Sequence, residues 1–261
     1  MAVAGGSLVG PVNERRDYAP VLRWLLLNVL VVIGIAALWY FGLLQATLGS
    51  DRTHISALIL VVFVITALHC LIQTVVISRE LTAARRVRET IFAVGSSGLR
   101  VEDGKVLVAP GRVLEPSIIT AHIANLLTKA EVQGGGRFDQ SLLLRALADR
   151  LRNREKIGLF VSEALLRLAL LGTAIGFILM LIPIAALNSF EADVLRTALS
   201  GMTSGMSIAL TVTVTGIASA LILKFEYYLL DDSISELFDI ITETSEIYVM
   251  SAIERRSNAR P

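Results

Sequence analysis

Two apolar stretches of this chain hold the side chains best suited to chemistry inside a membrane. Gly172, Thr173 and Gly176 lie in one, and Gly205, Ser207, Thr211, Thr213, Thr215, Gly216 and Ser219 in the other. In an apolar solvent small residues let helix backbones approach closely, while hydroxyls bond across an interface or to ions and water. Residues four apart on a helix lie about 40° from alignment and residues two apart about 200°. Ser207, Thr211, Thr215 and Ser219 therefore form one polar stripe on an interface, and Thr213 points nearly opposite, beside Gly216 and Ala220. At most one of these faces lines a given narrow pore. The competing use of each hydroxyl is a bond back to its own helix. No Asp, Glu, Lys or Arg stands at mid-depth in any apolar core, so the chain alone lacks the ionisable group of a membrane proton relay.

Other candidates carry less. Glu163 and Arg167 are spaced for a helical salt bridge at an interface. His69, beside Cys70 and four residues before Gln73, reads first as a structural hydrogen-bonder and second as a relay. Gly134, Gly135 and Gly136 are followed by no Gly-Lys-Ser/Thr and read as a linker, not a phosphate loop. The single cysteine excludes an internal disulfide and a cysteine-cluster metal site. Neither a catalytic residue, a metal site nor a cofactor is expected, and no enzyme class is favoured.

The elements that must position these residues follow from composition. At 54% hydrophobic and 18% charged residues, with mean hydropathy +0.67, the 261-residue chain departs from a soluble domain, which carries roughly 25% charge. Net charge +1 excludes a strongly basic nucleic-acid binder. Runs of more than 18 apolar residues recur, which a signal peptide does not explain and membrane spans do. Four spans are expected: Val21–Leu44, Ile55–Ile77, about Leu168–Leu187, and Met206–Leu223. Trp24 near one end of the first and Trp39 with Tyr40 near the other suit two aromatic interface belts.

Positive charge orients the spans. Arg15 and Arg16 precede the first and Arg23 stands at its entry, fourteen Lys/Arg lie from Arg79 to Lys156, and Lys224, Arg255, Arg256 and Arg260 follow the fourth; Arg52 and Arg196 alone fall in the opposite loops. Both termini and the middle segment are therefore expected in the cytoplasm. The division reads as a terminal segment 1–20, a membrane hairpin 21–78, a mostly helical region 79–157, a second membrane pair 158–230 and a helix 231–261. Within the middle region, Ser78–Val94 continues the second span, Ser117–Lys129 and Ser141–Lys156 are further helices, and Leu99–Val108 around Asp103-Gly104 reads as a small β-hairpin. Past the fourth span, Tyr227, Leu230, Ile234, Leu237, Ile241 and Ile247 recur at helical steps. The acidic face behind them, Asp231, Asp232, Glu236, Asp239, Glu243 and Glu246, is expected either in solvent or against Arg145, Arg150, Arg152 and Arg154. The fold class is thus an all-α membrane protein with long cytoplasmic helical extensions and one small hairpin.

At Leu170-Leu171-Gly172-Thr173-Ala174-Ile175-Gly176-Phe177 and at Gly205 to Gly216, the chain resembles the MotA/TolQ/ExbB ion-channel family. The first segment is similar to that family's Gly-Thr-x-x-Gly motif. In the second, Ala209 and Leu210 precede Thr213, with Gly216 three residues later, which is similar to the family's last span. The four-span layout resembles MotA, whereas Ile208 stands where ExbB and TolQ members carry a glutamate. The resemblance implies a homopentamer in the bacterial cytoplasmic membrane, its third and fourth spans packed through Gly172, Gly176, Ala209 and Gly216 around a central pore. It further implies a partner dimer of single-span subunits, similar to MotB, TolR or ExbD, that supplies a membrane aspartate. Thr173 and Thr213 would face that aspartate on the path of a permeant H⁺ or Na⁺, and ion flow would drive mechanical work. The rival expectation is a non-conducting scaffold for a partner membrane protein, surrounded by lipid, with its polar helix faces serving as packing glue.

Overall fold

A backbone in an apolar solvent must satisfy its N–H and C=O groups within itself, and long apolar runs free of breakers do so as long helices. The computed structural model describes residues 19–40, 42, 54–94, 99–102, 105–108, 112–133, 139–185 and 191–258. Helix α1 is Ala19–Tyr40, α2 Ile55–Val94, α3 Ile118–Gln133, α4 Ser141–Ala185 and α5 Ala192–Thr244; a π-helical turn, Ser245–Met250, joins α5 to α6, Ser251–Asn258. Among the described residues, α1, α2, α4 and α5 are the four helices long and apolar enough to cross a membrane.

Local chemistry sets the ends. Pro20 sits in the first turn of α1, where a missing N–H costs nothing. The helix is described to Tyr40, and Gly42 turns left-handed at φ 71°; the expected span end at Leu44 lies outside the described residues. Asp139 caps α4 by accepting from the Ser141 N–H at 2.8 Å. Asp193 lies in the first turn of α5, where the helix dipole favours an anion. Pro183 near the end of α4 is accommodated by Gly201 of α5, whose Cβ would stand 2.7 Å from the Pro183 ring.

Three of the helices run on from apolar to polar sequence without interruption, so the bundle and its polar lobe share a continuous frame. In the lobe, strands β1 (Arg100–Glu102), β2 (Lys105–Val108) and β3 (Arg112–Val113) form an antiparallel sheet in that order, with Arg100 opposite Leu107 and Leu107 opposite Val113. The third strand extends the sheet beyond the two-stranded hairpin read from sequence; Asp103, Gly104 and the glycine triplet lie outside the described residues. Leu99, Val106 and Val108 join Ile119, Ile123 and Leu126 of α3 and Ile91 of α2 in one buried core.

Two expectations for the lobe are corrected. The acidic face of α5 meets α2 and α1: Glu236 pairs with Arg85 at 2.6 Å, Glu243 with Arg88 at 3.5 Å and Asp232 with Arg23 at 3.0 Å. Arg154 bonds Gln73 instead, and Arg145, Arg150 and Arg152 stay on the exposed side of α4. Helical wheels gave the acidic face but not its partner. The apolar row also breaks: Tyr227, Leu230, Ile234, Leu237 and Ile241 are buried, yet Ile247 is exposed and Val249 is buried in its place. The π-turn widens the helix there and shifts its phase.

Candidate functional site

Helices α4 and α5 are packed along a seam of small residues. Added Cβ atoms would stand 2.3 Å from Val212 Cγ1 at Gly172, 2.3 Å from Ala169 Cβ at Gly216, and 2.5 Å from Met180 N at Gly205. At Gly176 the Cβ would meet Ala209 Cβ at 2.6 Å and Ala209 Cα and N at 2.7 Å. Steps of three or four residues along α4 are matched by steps of three or four back along α5, which is antiparallel packing. Glycine at these four places is a spatial requirement, because real Cβ contacts need about 3.5–4.0 Å.

This close approach brings Thr173 and Thr213 together: their Oγ1 atoms lie 2.5 Å apart across the seam. Thr173 Oγ1 is also 2.9 Å from Ala169 O, and Thr213 Oγ1 2.9 Å from Ala209 O. Two hydroxyl protons must serve these three contacts. Either one threonine turns its proton across the seam and releases its own carbonyl, or both donate backwards and leave two lone-pair oxygens facing each other. In both arrangements an acceptor is left over. A proton or partly dehydrated cation suits such a site, and an anion does not.

The pair stands at one edge of the seam, with both threonines half-buried. At the same helical offsets around each lie exposed apolar residues: Leu166, Leu170 and Phe177 on α4, and Met206, Leu210 and Ile217 on α5, all between 41% and 61% exposed. The two hydroxyls are thus a polar spot between apolar rows on an open face. The Ser207–Ser219 stripe faces elsewhere: Thr211 and Ser219 are buried within the chain, and Ser207 and Thr215 are half-buried. Glu163 and Arg167 bond at 3.3 Å, 69% and 76% exposed, which puts them on the surface of the chain. At the far end of the seam, a cleft of about 830 Å³ opens between Leu179, Pro183, Arg196, Thr197, Ser200, Ser204 and Ile208.

A second polar layer lies where the bundle meets its lobe. His69 Nδ1 is 2.8 Å from Tyr227 Oη, the His69 and Gln73 side chains approach at 3.4 Å, and Arg154 Nη1 donates to Gln73 Oε1 at 3.2 Å. The Tyr227 ring occupies the space beside Gly158, whose Cβ would stand 1.9 Å from it. His69 is therefore held in a structural network. Glu226, read in sequence only as the residue ending a span, is fully buried; an acid between Phe225 and Tyr227 was the available signal. Just below, burial and then the neighbouring Asp231 push the Glu155 carboxyl up to about 7. Among the described residues no group of three or more His, Cys, Asp or Glu is placed to hold a metal ion.

The comparison with known proteins converges on the same helices. Neither a curated protein nor a solved structure matches the chain. The profile of the MotA/TolQ/ExbB proton channel family matches residues 118–243, which takes in α3, α4 and nearly all of α5, hence the whole seam and both threonines. Over that segment, just under half of its length, the chain is similar to the MotA/TolQ/ExbB proton channel family.

Proposed function

We propose that this chain is the A-type subunit of an ion-driven membrane motor, a channel subunit and not an enzyme, which couples H⁺ or Na⁺ flow to mechanical work. Five copies surround a central pore lined by α4 and α5, and a dimer of single-span partners resembling MotB, TolR or ExbD fills that pore and brings the membrane aspartate. The complex sits in the bacterial cytoplasmic membrane with both termini and the polar lobe in the cytoplasm, the side on which Lys and Arg are retained. The observation that carries this reading is the Thr173–Thr213 contact at 2.5 Å on an open apolar face. Two acceptor oxygens with too few protons, bordered by exposed apolar rows, form a place where a partner's carboxyl group would exchange an ion.

The test separates conduction from assembly. Thr173→Val with Thr213→Val keeps side-chain shape and removes both hydroxyls. Ion flux and co-purification of the single-span partner are measured on the same preparation, beside Thr215→Val. Loss of flux with assembly intact supports the pore role. Normal flux in the double variant refutes it, and loss of assembly returns the threonines to packing and favours the scaffold reading.

A further inference from the structure

Glu226 is the single fully buried carboxylate among the described residues, at 0% exposure. The polar groups facing it come from Trp24 and Asn28 of α1 and from Cys70 of α2. Neither of its oxygens closes a hydrogen bond, nor does the equally buried Trp24 Nε1. The cations of the surrounding helices are engaged elsewhere: Arg23 of α1 with Asp232, and Arg154 of α4 with Gln73 of α2. Lys224 of α5 is exposed. His69 of α2 is bound to Tyr227 of α5, and Glu155 of α4 to Asp231 of α5. An ionised carboxylate in this place would lose its hydration with no counter-ion to offset the loss. A metal ion is poorly served, because hard cations take six or more oxygens and the Trp24 and Asn28 N–H groups repel them. Burial disfavours the charge more strongly than the N–H groups of Trp24 and Asn28 favour it, so the neutral acid fits the packing.

What surrounds Glu226 gives its proton a consequence. Along its length α1 presents Leu22, Leu26, Leu30 and Ile33 outward, and its Trp24 packs against the buried core. The Arg23–Asp232 pair beside it is 61% exposed on both sides and weak for that reason. Thr213 lies thirteen residues further along the same unbroken α5, about 20 Å away.

We propose that Glu226 is a proton-binding site internal to each subunit, which latches α1 onto the foot of α5 when protonated and releases it when ionised. The site is separate from the threonine pair, and the inference stands whether or not the motor reading does.

The full-length protein in nanodiscs tests it by two readouts. Infrared spectra recorded in a Glu155→Gln background, which removes the other raised carboxyl, should show a protonated-carboxyl band at pH 7 that disappears in Glu226→Gln. Emission from Trp24, isolated by Trp39→Phe, should shift to longer wavelength as the pH is raised, and Glu226→Gln should hold it at the low-pH value throughout. Absence of the band at pH 7 overturns the proposal, and so does an emission titration unchanged by Glu226→Gln. If that variant does not fold, Glu226→Asp, which keeps the acid but shortens its reach, should move the band; an unmoved band also overturns the assignment.

Discussion

Gly176→Ala is the smallest change that asks whether the α4–α5 seam holds the two threonines together. The new methyl group would stand 2.6 Å from Ala209 Cβ and 2.7 Å from Ala209 Cα and N, two of the three being backbone atoms that cannot rotate away. Restoring contacts of about 3.5–4.0 Å requires the helices to separate by roughly 1 Å. The same separation opens the Thr173–Thr213 contact from 2.5 Å to about 3.5 Å, the limit of a hydrogen bond. Overpacking costs about 1–3 kcal/mol and a lost interhelical bond in a membrane about 0.6 kcal/mol, so the expected loss is about 2–4 kcal/mol. Gly172→Ala should cost less, because its nearest obstacle is the Val212 side chain. Gly34→Ala, with no atom within 4 Å, should be neutral or stabilising by up to about 1 kcal/mol. Adding Ala209→Gly to Gly176→Ala should relieve the clash only in part, since the Cα and N contacts remain. Unfolding by SDS titration in bicelles, followed by helix content, ranks the four variants. Equal stability of Gly176→Ala and the parent would refute the close-packed seam.

Two further expectations concern the polar lobe. Since burial and Asp231 push the Glu155 carboxyl up to about 7 from 4.5, the folded state holds a proton that the unfolded chain has lost between those values. The contribution is full below about pH 4.5 and is lost as pH rises through 7; thermal unfolding across this window should weaken with pH in the parent and respond less in Glu155→Gln. The Arg85–Glu236 pair, 16% and 49% exposed, should repay disruption more than the 76% and 69% exposed Arg167–Glu163 pair. Arg85→Ala is expected to cost about 0.5–1 kcal/mol and Arg167→Ala less than 0.5, and exchanging the charges of Arg85 and Glu236 should recover part of the loss. Equal effects at both pairs would show that burial does not set their worth.

Much of the architecture is written in local sequence. Hydropathy alone marks four membrane-capable helices, because an apolar solvent leaves the backbone few alternatives to a helix. Helical spacing alone separates Thr213 from the Ser207–Ser219 stripe, because the 3.6-residue turn fixes the angle between any two residues of one helix. The likeness to the MotA/TolQ/ExbB family over residues 118–243 was legible for the same reason: Gly172-Thr173-x-x-Gly176 and the Gly205–Gly216 segment are contiguous in the chain.

Relations between helices were not legible. That Thr173 and Thr213 touch depends on the register of α4 against α5, set by which glycine receives which neighbour, Gly176 against Ala209 and Gly216 against Ala169. That Arg85 and Arg88, and not Arg145 or Arg150, receive the acids of α5 depends on which side of that helix α2 occupies. The phase slip that exposes Ile247 and buries Val249 comes from one π-turn, invisible to a fixed helical period. Glu226 is the plainest case. By sequence it is an acid at the polar end of an apolar span, where water would be the ordinary neighbour; only the packing of α1 and α2 over it removes that water. Burial of a side chain is a property of what other segments place on top of it, and sequence spacing along one helix contains no record of that.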